Sequence, residues 1–291
     1  MYFRYFKRKK GPTIKQVARK RFENFVSELR LRCFSEKTID TYTYYNNKFL
    51  DFIKKEQRSI TSNDIKSYLN SLINKDIQPR TVRMALNSIK AYYEGYLGKK
   101  LFKNIKSPKV SKDLPQVLSK NEIKAMIDNT NFLKHRLLIE LLYSSGIRVG
   151  ECVKVEIDNI YFDDKIVFIK NGKGKKDRFT ITSKIFIGDL NTYLNQRKEQ
   201  KKYLFDDGYT NHISVRTAEE IVKLAAKRVD IRRRVYPHLL RASFATHLIE
   251  HGTPIEKIQK LLGHSNIDTT MEYIGTRTDD LKMIKSPLDN L

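Results

Sequence analysis

A basic, proline-containing stretch, residues 99–116, interrupts the helical pattern of this chain and constrains its fold more than any other feature. It carries Pro108 and Pro115 together with six lysines. Proline disfavours helix, and a basic segment without helical periodicity does not build a core of its own. We therefore predict an interdomain linker at 99–116, in a chain whose 291 residues are enough for two cores of ordinary size.

Before the linker the apolar pattern is helical throughout. Val17, Phe22 and Leu29 belong to one stripe at helical spacing, and residues 38–53 carry a second. A capping box at Thr61 opens a third helix, and a fourth follows Pro79. We predict a small all-α domain over residues 13–98, preceded by a basic N-terminal arm over residues 1–12. Arg80, Arg83, Lys90 and Lys48 on its outer faces are candidates for phosphate contacts or an ordinary solvated surface.

The charge of the chain points to a polyanionic partner. Lysine and arginine number 57 against 33 acidic residues, a formal net charge of +24. Double-stranded DNA is the first candidate, because neutralised phosphates release condensed counterions. An anionic membrane surface is the weaker alternative, since the longest apolar runs, such as 137–143, fall far short of the roughly 20 residues of a spanning helix.

After the linker, helical stripes continue around one β region. Ser119 and Glu122 form a capping box, and an apolar helix follows over 132–144. Two strands, 165–169 and 178–181, flank a glycine- and lysine-rich turn at 171–176 and predict a hairpin. Further helices are predicted at 184–200 and 215–229. The fold class is thus mainly α, with a small β-hairpin or sheet in a C-terminal domain over residues 117–275.

Two basic residues of this domain stand in unusual settings. Arg148 follows the glycine turn at Gly146 and lies between apolar neighbours, where a guanidinium needs an anion or several acceptors. A salt bridge to Glu151 would satisfy it equally well. Lys173 lies between two glycines at the hairpin tip, where it could reach a neighbouring groove or remain a solvated loop lysine.

The segment from Pro237 to Tyr273 concentrates the reactive side chains. Four of the six histidines lie between positions 238 and 264. On a helix His238 and Arg241 are neighbours on one face, and Gly263 ends the next helix just before His264. A short final helix is predicted to carry Tyr273. His247 and His251 are predicted to be structural, because they lie on the apolar side of the helix and beside a glycine.

In this arrangement the chain resembles the tyrosine recombinases, or phage-type integrases, and especially their Xer-type branch. The resemblance covers residues 115–275 and is carried by six residues in order: Arg148 in GIRVGE, Lys173 in GKGKKDR, His238 and Arg241 in HLLR, His264 in LLGHS, and Tyr273 in TTMEYI. The family commonly has Leu and Ser where Ile147 and Gly150 stand. The resemblance implies a two-domain architecture that clamps DNA.

The resemblance also assigns a role to each matching residue. Arg148 and Arg241 would hold the nonbridging oxygens of a phosphodiester by paired hydrogen bonds, and His264 would donate another. Tyr273 would be the nucleophile, with His238 as its base. Lys173 would protonate the leaving 5′ oxygen. The expected product is a 3′-phosphotyrosine that a 5′ hydroxyl can reseal, so strands exchange through a Holliday junction with no ATP, metal or other cofactor.

Three other functions are weighed against this one. A type IB topoisomerase shares the chemistry but relaxes supercoils without partner sites. A metal-dependent nuclease needs clustered carboxylates, whereas Glu250, Glu256 and Asp268 are spread around helices. A non-catalytic DNA-binding regulator would not need all six residues. Chromosome dimer resolution and mobile-element integration or excision are both left open.

The remaining features concern assembly and location. Residues 276–291 form a tail with enough apolar side chains to dock, and the resemblance implies docking on a neighbouring protomer within a homotetramer on two DNA sites; folding back on its own domain is the alternative. Cys33 and Cys152 show no disulfide or zinc pattern, and the N-terminus lacks the apolar region of a secretory signal. We expect a cytoplasmic protein.

Overall fold

A computed structural model describes residues 13–109, 117–170, 177–197, 199, 201–209, 211–263 and 286–291. The chain divides into two compact units, Met1–Asp113 and Leu114–Leu291. Within those described ranges, no helix is long and apolar enough to cross a membrane.

The first unit packs its helices around one apolar core. These helices are α1 (Ile14–Arg21), α2 (Glu23–Leu31), α3 (Glu36–Ile53), α4 (Ser62–Asn74) and α5 (Pro79–Tyr93). The capping box predicted at Thr61 is confirmed: its hydroxyl accepts from the Asp64 N–H at 3.3 Å, and its own N–H donates to the Asp64 carboxylate at 2.9 Å. The core of this unit includes Phe49 and Tyr93, both fully buried.

The single helix predicted through Val17, Phe22 and Leu29 is wrong, because α1 and α2 meet at Phe22. Its backbone leaves the helical region, with φ −119° and ψ 33°. This break turns the Phe22 ring into the core, 5.0 Å from the ring of Tyr92, and leaves Val17 48% exposed. A stripe that looks continuous in sequence therefore spans two helix directions.

The start of the predicted linker packs on the first unit. Phe102 is buried in the core of this unit, and Leu101 and Ile105 lie against it. Arg83, a candidate phosphate contact, donates from Nη2 to the Pro108 carbonyl at 2.6 Å. Its guanidinium therefore holds this segment.

The second unit combines helices with a three-stranded antiparallel sheet. Its elements are α6 (Lys120–Asp128), α7 (Leu133–Ser145), α8 (Val149–Cys152), β1 (Ile160–Tyr161), β2 (Ile166–Ile169), β3 (Arg178–Ile181), α9 (Lys184–Gln196), α10 (Val215–Arg228), α11 (Pro237–Glu250) and α12 (Ile255–Leu262). The predicted hairpin is confirmed by the pairing of β2 with β3. Strand β1, which pairs with β2, was not predicted, because two residues are too short to show an alternating pattern.

Helix α7 lies at the centre of the second unit. Its residues 137–145 are all buried, and α9 and α11 pack against it. Residues 286–291 pack on this unit as well: Ser286 Oγ donates to the Ser144 carbonyl at 3.0 Å, Leu288 is 1% exposed, and Asp289 Oδ1 accepts from the N–H of Lys184 at 2.8 Å. These six residues therefore pack on the second unit of their own chain, and docking of the tail on a neighbouring protomer stays a prediction. Residues 276–285 lie outside the described residues.

Gly146 ends α7 in the left-handed conformation, with φ +62°. A β-carbon there would lie 2.3 Å from Phe244 Cδ1, on a ring that is fully buried and cannot move aside. We expect Gly146→Ala to lower the free energy of unfolding of the second unit by about 2 to 5 kcal/mol. About 1 to 2 kcal/mol comes from the backbone conformation and about 1 to 3 from overpacking.

Urea unfolding measures this loss, and Gly252→Ala is the matched control. Gly252 also has positive φ, +77°, but a β-carbon there meets nothing within 4 Å. It should lose only the backbone part, about 1 to 2 kcal/mol. Equal losses in the two variants would contradict the overlap with Phe244.

Candidate active site

Helix α11 begins at the predicted site and directs Arg241 inward. Pro237 occupies the first helical position, where its missing N–H is no loss. Leu240 and Phe244 on the same helix are fully buried in the core. Arg241 lies among them and is only 3% exposed, so its guanidinium is deeper than the margin that the sequence predicts.

Arg241 joins the carbonyl ends of two helices. Its Nη1 donates to the Gly146 carbonyl at 2.6 Å, and its Nη2 donates to the Leu262 carbonyl at 2.7 Å. Gly146 and Gly263 end α7 and α12 in the left-handed conformation, and the last carbonyls of a helix carry partial negative charge. Burial, together with the positive charges of Arg148 and Arg178, lowers the pKa of Arg241 to about 10. The guanidinium of Arg241 is therefore charged at neutral pH, although burial and the two neighbouring arginines make its charged form less favourable than it would be in water.

Arg148 lies two residues after Gly146 and caps α8. Glu151 accepts from the Arg148 backbone N–H at 2.9 Å and from its Nη1 at 3.0 Å. The salt bridge weighed from the sequence is therefore present. The Arg148 side chain is still 28% exposed. It can thus offer donors to a ligand while Glu151 fixes its direction.

Glu151 is held by a second arginine that the sequence reasoning did not single out. Arg178, the first residue of β3, donates from Nη1 and Nη2 to the two carboxylate oxygens at 3.0 and 2.7 Å. Burial raises the pKa of Glu151, but the hydrogen bonds from Arg178 and from the Arg148 N–H outweigh it and lower the pKa to about 2. Glu151 is therefore a carboxylate at any pH at which the protein would be assayed.

These contacts close into a polar ring. It consists of Gly146, Arg148, Glu151, Arg178, Arg241 and the carbonyls of Leu261 and Leu262. The ring holds three guanidinium groups and one carboxylate, to which Arg148 and Arg178 donate, so an excess of positive charge remains beside the partly exposed Arg148. Such a site suits a phosphate group, because guanidinium groups hold its oxygens by paired hydrogen bonds.

His238 lies at the start of α11, where part of its surface is open to solvent and part is covered. Partial burial of the ring lowers its pKa, and the positive charges of Arg241 and Arg148 lower it further. The imidazole is therefore neutral at neutral pH, the state in which it can accept a proton.

The structure thus brings Arg148, Arg241 and His238 together in the second unit. Lys173, His264 and Tyr273 lie outside the described residues. Gly263, which precedes His264, ends α12 beside the ring. His247 is buried, with its Nδ1 2.8 Å from the Tyr143 hydroxyl, in agreement with a structural role.

Comparisons with known proteins identify the family. A model described as the phage integrase family matches residues 116–279, and another, described as the phage integrase N-terminal SAM-like domain, matches residues 22–102. Together they span both units. The chain belongs to the phage integrase family.

Individual relatives define the branch. Tyrosine recombinase XerA of Pyrococcus horikoshii is 34% identical over 263 residues, which cover 89% of this chain and 90% of the relative. The crystal structure of XerA recombinase matches with a TM-score of 0.50 and 27% identity, over 91% of this chain and 96% of that one. A lambda integrase tetramer bound to a Holliday junction shares the fold alone, with a TM-score of 0.68 at 16% identity, over 91% and 81% of the two chains. Within its family the chain is a tyrosine recombinase of the Xer type.

Proposed function

We propose that this chain is a site-specific DNA recombinase that cleaves and rejoins strands through a 3′-phosphotyrosyl intermediate. The observation that carries the proposal is the polar ring, where the three positive charges of Arg148, Arg178 and Arg241 exceed the single negative charge of Glu151, and Arg148 stays 28% exposed. A phosphodiester supplies the missing anion. Its transition state carries charge on the nonbridging oxygens, which preorganised donors stabilise.

In this proposal the ring binds the scissile phosphate. Arg148 and Arg241 hold its nonbridging oxygens, and His264 donates a further hydrogen bond. Arg241 needs no movement to do so, because the carbonyls of Gly146 and Leu262 already fix the plane of its guanidinium. Preorganisation of this kind removes the cost of reorienting the donors during the reaction.

The covalent step is assigned to Tyr273. A phenol has an unperturbed pKa of about 10 and is a weak nucleophile until it loses its proton. His238 accepts that proton, since its lowered pKa keeps it neutral beside the two arginines. The phenolate oxygen attacks phosphorus, the bond to the 5′ oxygen breaks, and Lys173 protonates that oxygen. A 5′ hydroxyl of the partner strand reverses the reaction without ATP or metal.

Double-stranded DNA and further copies of the chain are the proposed partners. The net charge of +24 favours a polyanion, and the helical first unit is proposed to grip the duplex together with the catalytic unit. A tetramer on two DNA sites is proposed by analogy with the lambda integrase tetramer on a Holliday junction. A cytoplasmic location follows from the DNA substrate.

A nicked suicide substrate that carries the cognate site tests the proposal. We expect a covalent protein–DNA adduct on a denaturing gel at the same yield with and without EDTA. A second incubation with two cognate sites should give recombinant strands. Loss of the adduct in EDTA would favour a metal-dependent nuclease, and relaxation of supercoiled DNA without exchange between sites would favour a type IB topoisomerase.

A further inference from the structure

Arg178 occupies a central place in the polar ring. It begins β3, and its side chain is 11% exposed. Its Nε donates to the Leu261 carbonyl at 3.1 Å. Its Nη1 and Nη2 form a fork of two donors, each hydrogen-bonded to one carboxylate oxygen of Glu151. One side chain thus links the sheet, α8 and the end of α12.

The contacts of Arg178 leave it poorly placed to bind phosphate itself. Its Nη1 and Nη2 face an anion, the carboxylate of Glu151, which neutralises its charge. The Nη1 and Nη2 of Arg241 donate to neutral carbonyls instead, so the charge of Arg241 is still available to a phosphate. Arg148, in contrast, donates one side-chain hydrogen bond to Glu151 and is more exposed. The two arginines therefore differ in role, although both pair with the same carboxylate.

Arg178 and Arg241 share the end of α12. They donate to adjacent carbonyls, Arg178 to that of Leu261 and Arg241 to that of Leu262. Gly263 makes this approach possible: a β-carbon on it would lie 2.8 Å from Arg178 Cδ. Arg178 thus fixes one neighbour of each phosphate-binding arginine, Glu151 for Arg148 and the helix end for Arg241.

We propose that Arg178 is a positioning residue for the recombinase reaction, which aims Arg148 through Glu151 and holds the α12 end against Arg241 without touching the DNA. The inference rests on the proposed function. In this proposal Arg178, the first residue of β3, affects phosphate binding only through its contacts with Glu151 and the end of α12.

Single-turnover adduct formation by Arg178→Met tests this role. Methionine keeps an unbranched apolar stem but removes the fork, so Arg148 loses its fixed direction. Misplacement by about 1 Å can cost about 100-fold in rate. We expect cleavage that is about 10- to 100-fold slower, with the Kd for site DNA within about twofold of the parent, because Arg178 makes no DNA contact.

The pH profile separates this role from a merely structural one. Glu151 faces Arg148 on its own helix, Arg178 from β3 and Arg241 from α11. Without Arg178 the burial of Glu151 raises its pKa, so a new acidic limb should appear. The variant-to-parent rate ratio should fall as the pH is lowered from about 8 to about 5.5. His238 titrates in parent and variant alike, so its contribution cancels in the ratio.

Two further variants make the result decisive. In the double variant Glu151→Gln with Arg178→Met the amide cannot titrate, so the acidic limb should vanish, and the combined loss should be far smaller than the product of the single losses. Arg197→Met is the matched control: its ion pair with Asp206 is similarly buried, at 10% and 12% exposure against 11% and 9% for Arg178 and Glu151. It should cost comparable thermal stability while its rate and pH profile stay those of the parent.

A parent that forms no adduct removes the proposed function itself. Given an active parent, a rate for Arg178→Met that equals the parent rate, a loss that is uniform over pH, or a limb that persists in the double variant would overturn the positioning role. If Arg178→Met does not fold, Arg178→Lys replaces it, since an ammonium keeps the charge but cannot span both carboxylate oxygens; the same acidic limb is then expected, but weaker.

Discussion

Replacing Tyr273 by phenylalanine should abolish the covalent protein–DNA adduct and leave DNA binding almost unchanged. The substitution removes the oxygen that would attack phosphorus and nothing else. The arginines that would hold the phosphate are untouched, so the Kd for a site duplex should stay within about twofold. Loss of the nucleophile should reduce adduct formation by at least about 10⁴-fold, below detection on a denaturing gel.

The control for this variant is a tyrosine near the site but outside the family motifs. Tyr236 precedes α11 and is 42% exposed, so Tyr236→Phe removes a phenol from the same region. It should form the adduct at the parent rate. Protease digestion of the parent adduct followed by mass spectrometry identifies the modified residue directly. An adduct in Tyr273→Phe, or a modified peptide without Tyr273, would remove this tyrosine from the mechanism.

Arg241→Lys should be the second most damaging substitution. The guanidinium bridges two carbonyls, of Gly146 and Leu262, that belong to different helix ends. An ammonium is a single point and cannot keep both contacts and also offer paired donors to a phosphate. We expect single-turnover cleavage to fall about 10²- to 10³-fold, the usual cost of one lost oxyanion donor. The Kd should change little, since the positive charge is retained.

The same substitution at another buried arginine controls for general damage. Arg197 is 10% exposed and pairs with Asp206, so Arg197→Lys also removes a fork from an arginine in the second unit. Both variants should lose thermal stability, but only Arg241→Lys should lose cleavage. Cleavage by Arg241→Lys at the parent rate would show that a bridging guanidinium is not needed in this position.

Local sequence signals predicted much of the fold. The capping boxes at Thr61 and Ser119, the proline at the start of α5 and the glycines that end α7 and α12 act within a few residues. The structure confirms all of them. The helix break at Phe22 does not follow from spacing, because core packing against Tyr92, which is distant in the chain, decides where the helix breaks.

The residues of the candidate site, too, were predictable only where a local motif marks them. The motifs named Arg148, His238 and Arg241, whereas Arg178 closes the motif GKGKKDR without a role of its own in the resemblance. Its partner Glu151 lies 27 positions away. Glu151 carries a local signal, three residues after Arg148 at a helix start, but that signal predicts only an ion pair between the two. Long-range contacts of this kind are absent from spacing rules.

Because Leu288 is buried, the core of the second unit cannot be completed until position 288 has been synthesised. Phe102 belongs to the core of the first unit and Leu288 to the core of the second. Domains fold as units, and the N-terminal unit folds first as the chain is synthesised at roughly 5 to 20 residues per second. The positions between these two residues therefore take about 10 to 40 s at that speed. For that interval a ribosome carries a folded helical unit while the core of the catalytic unit still lacks one of its side chains.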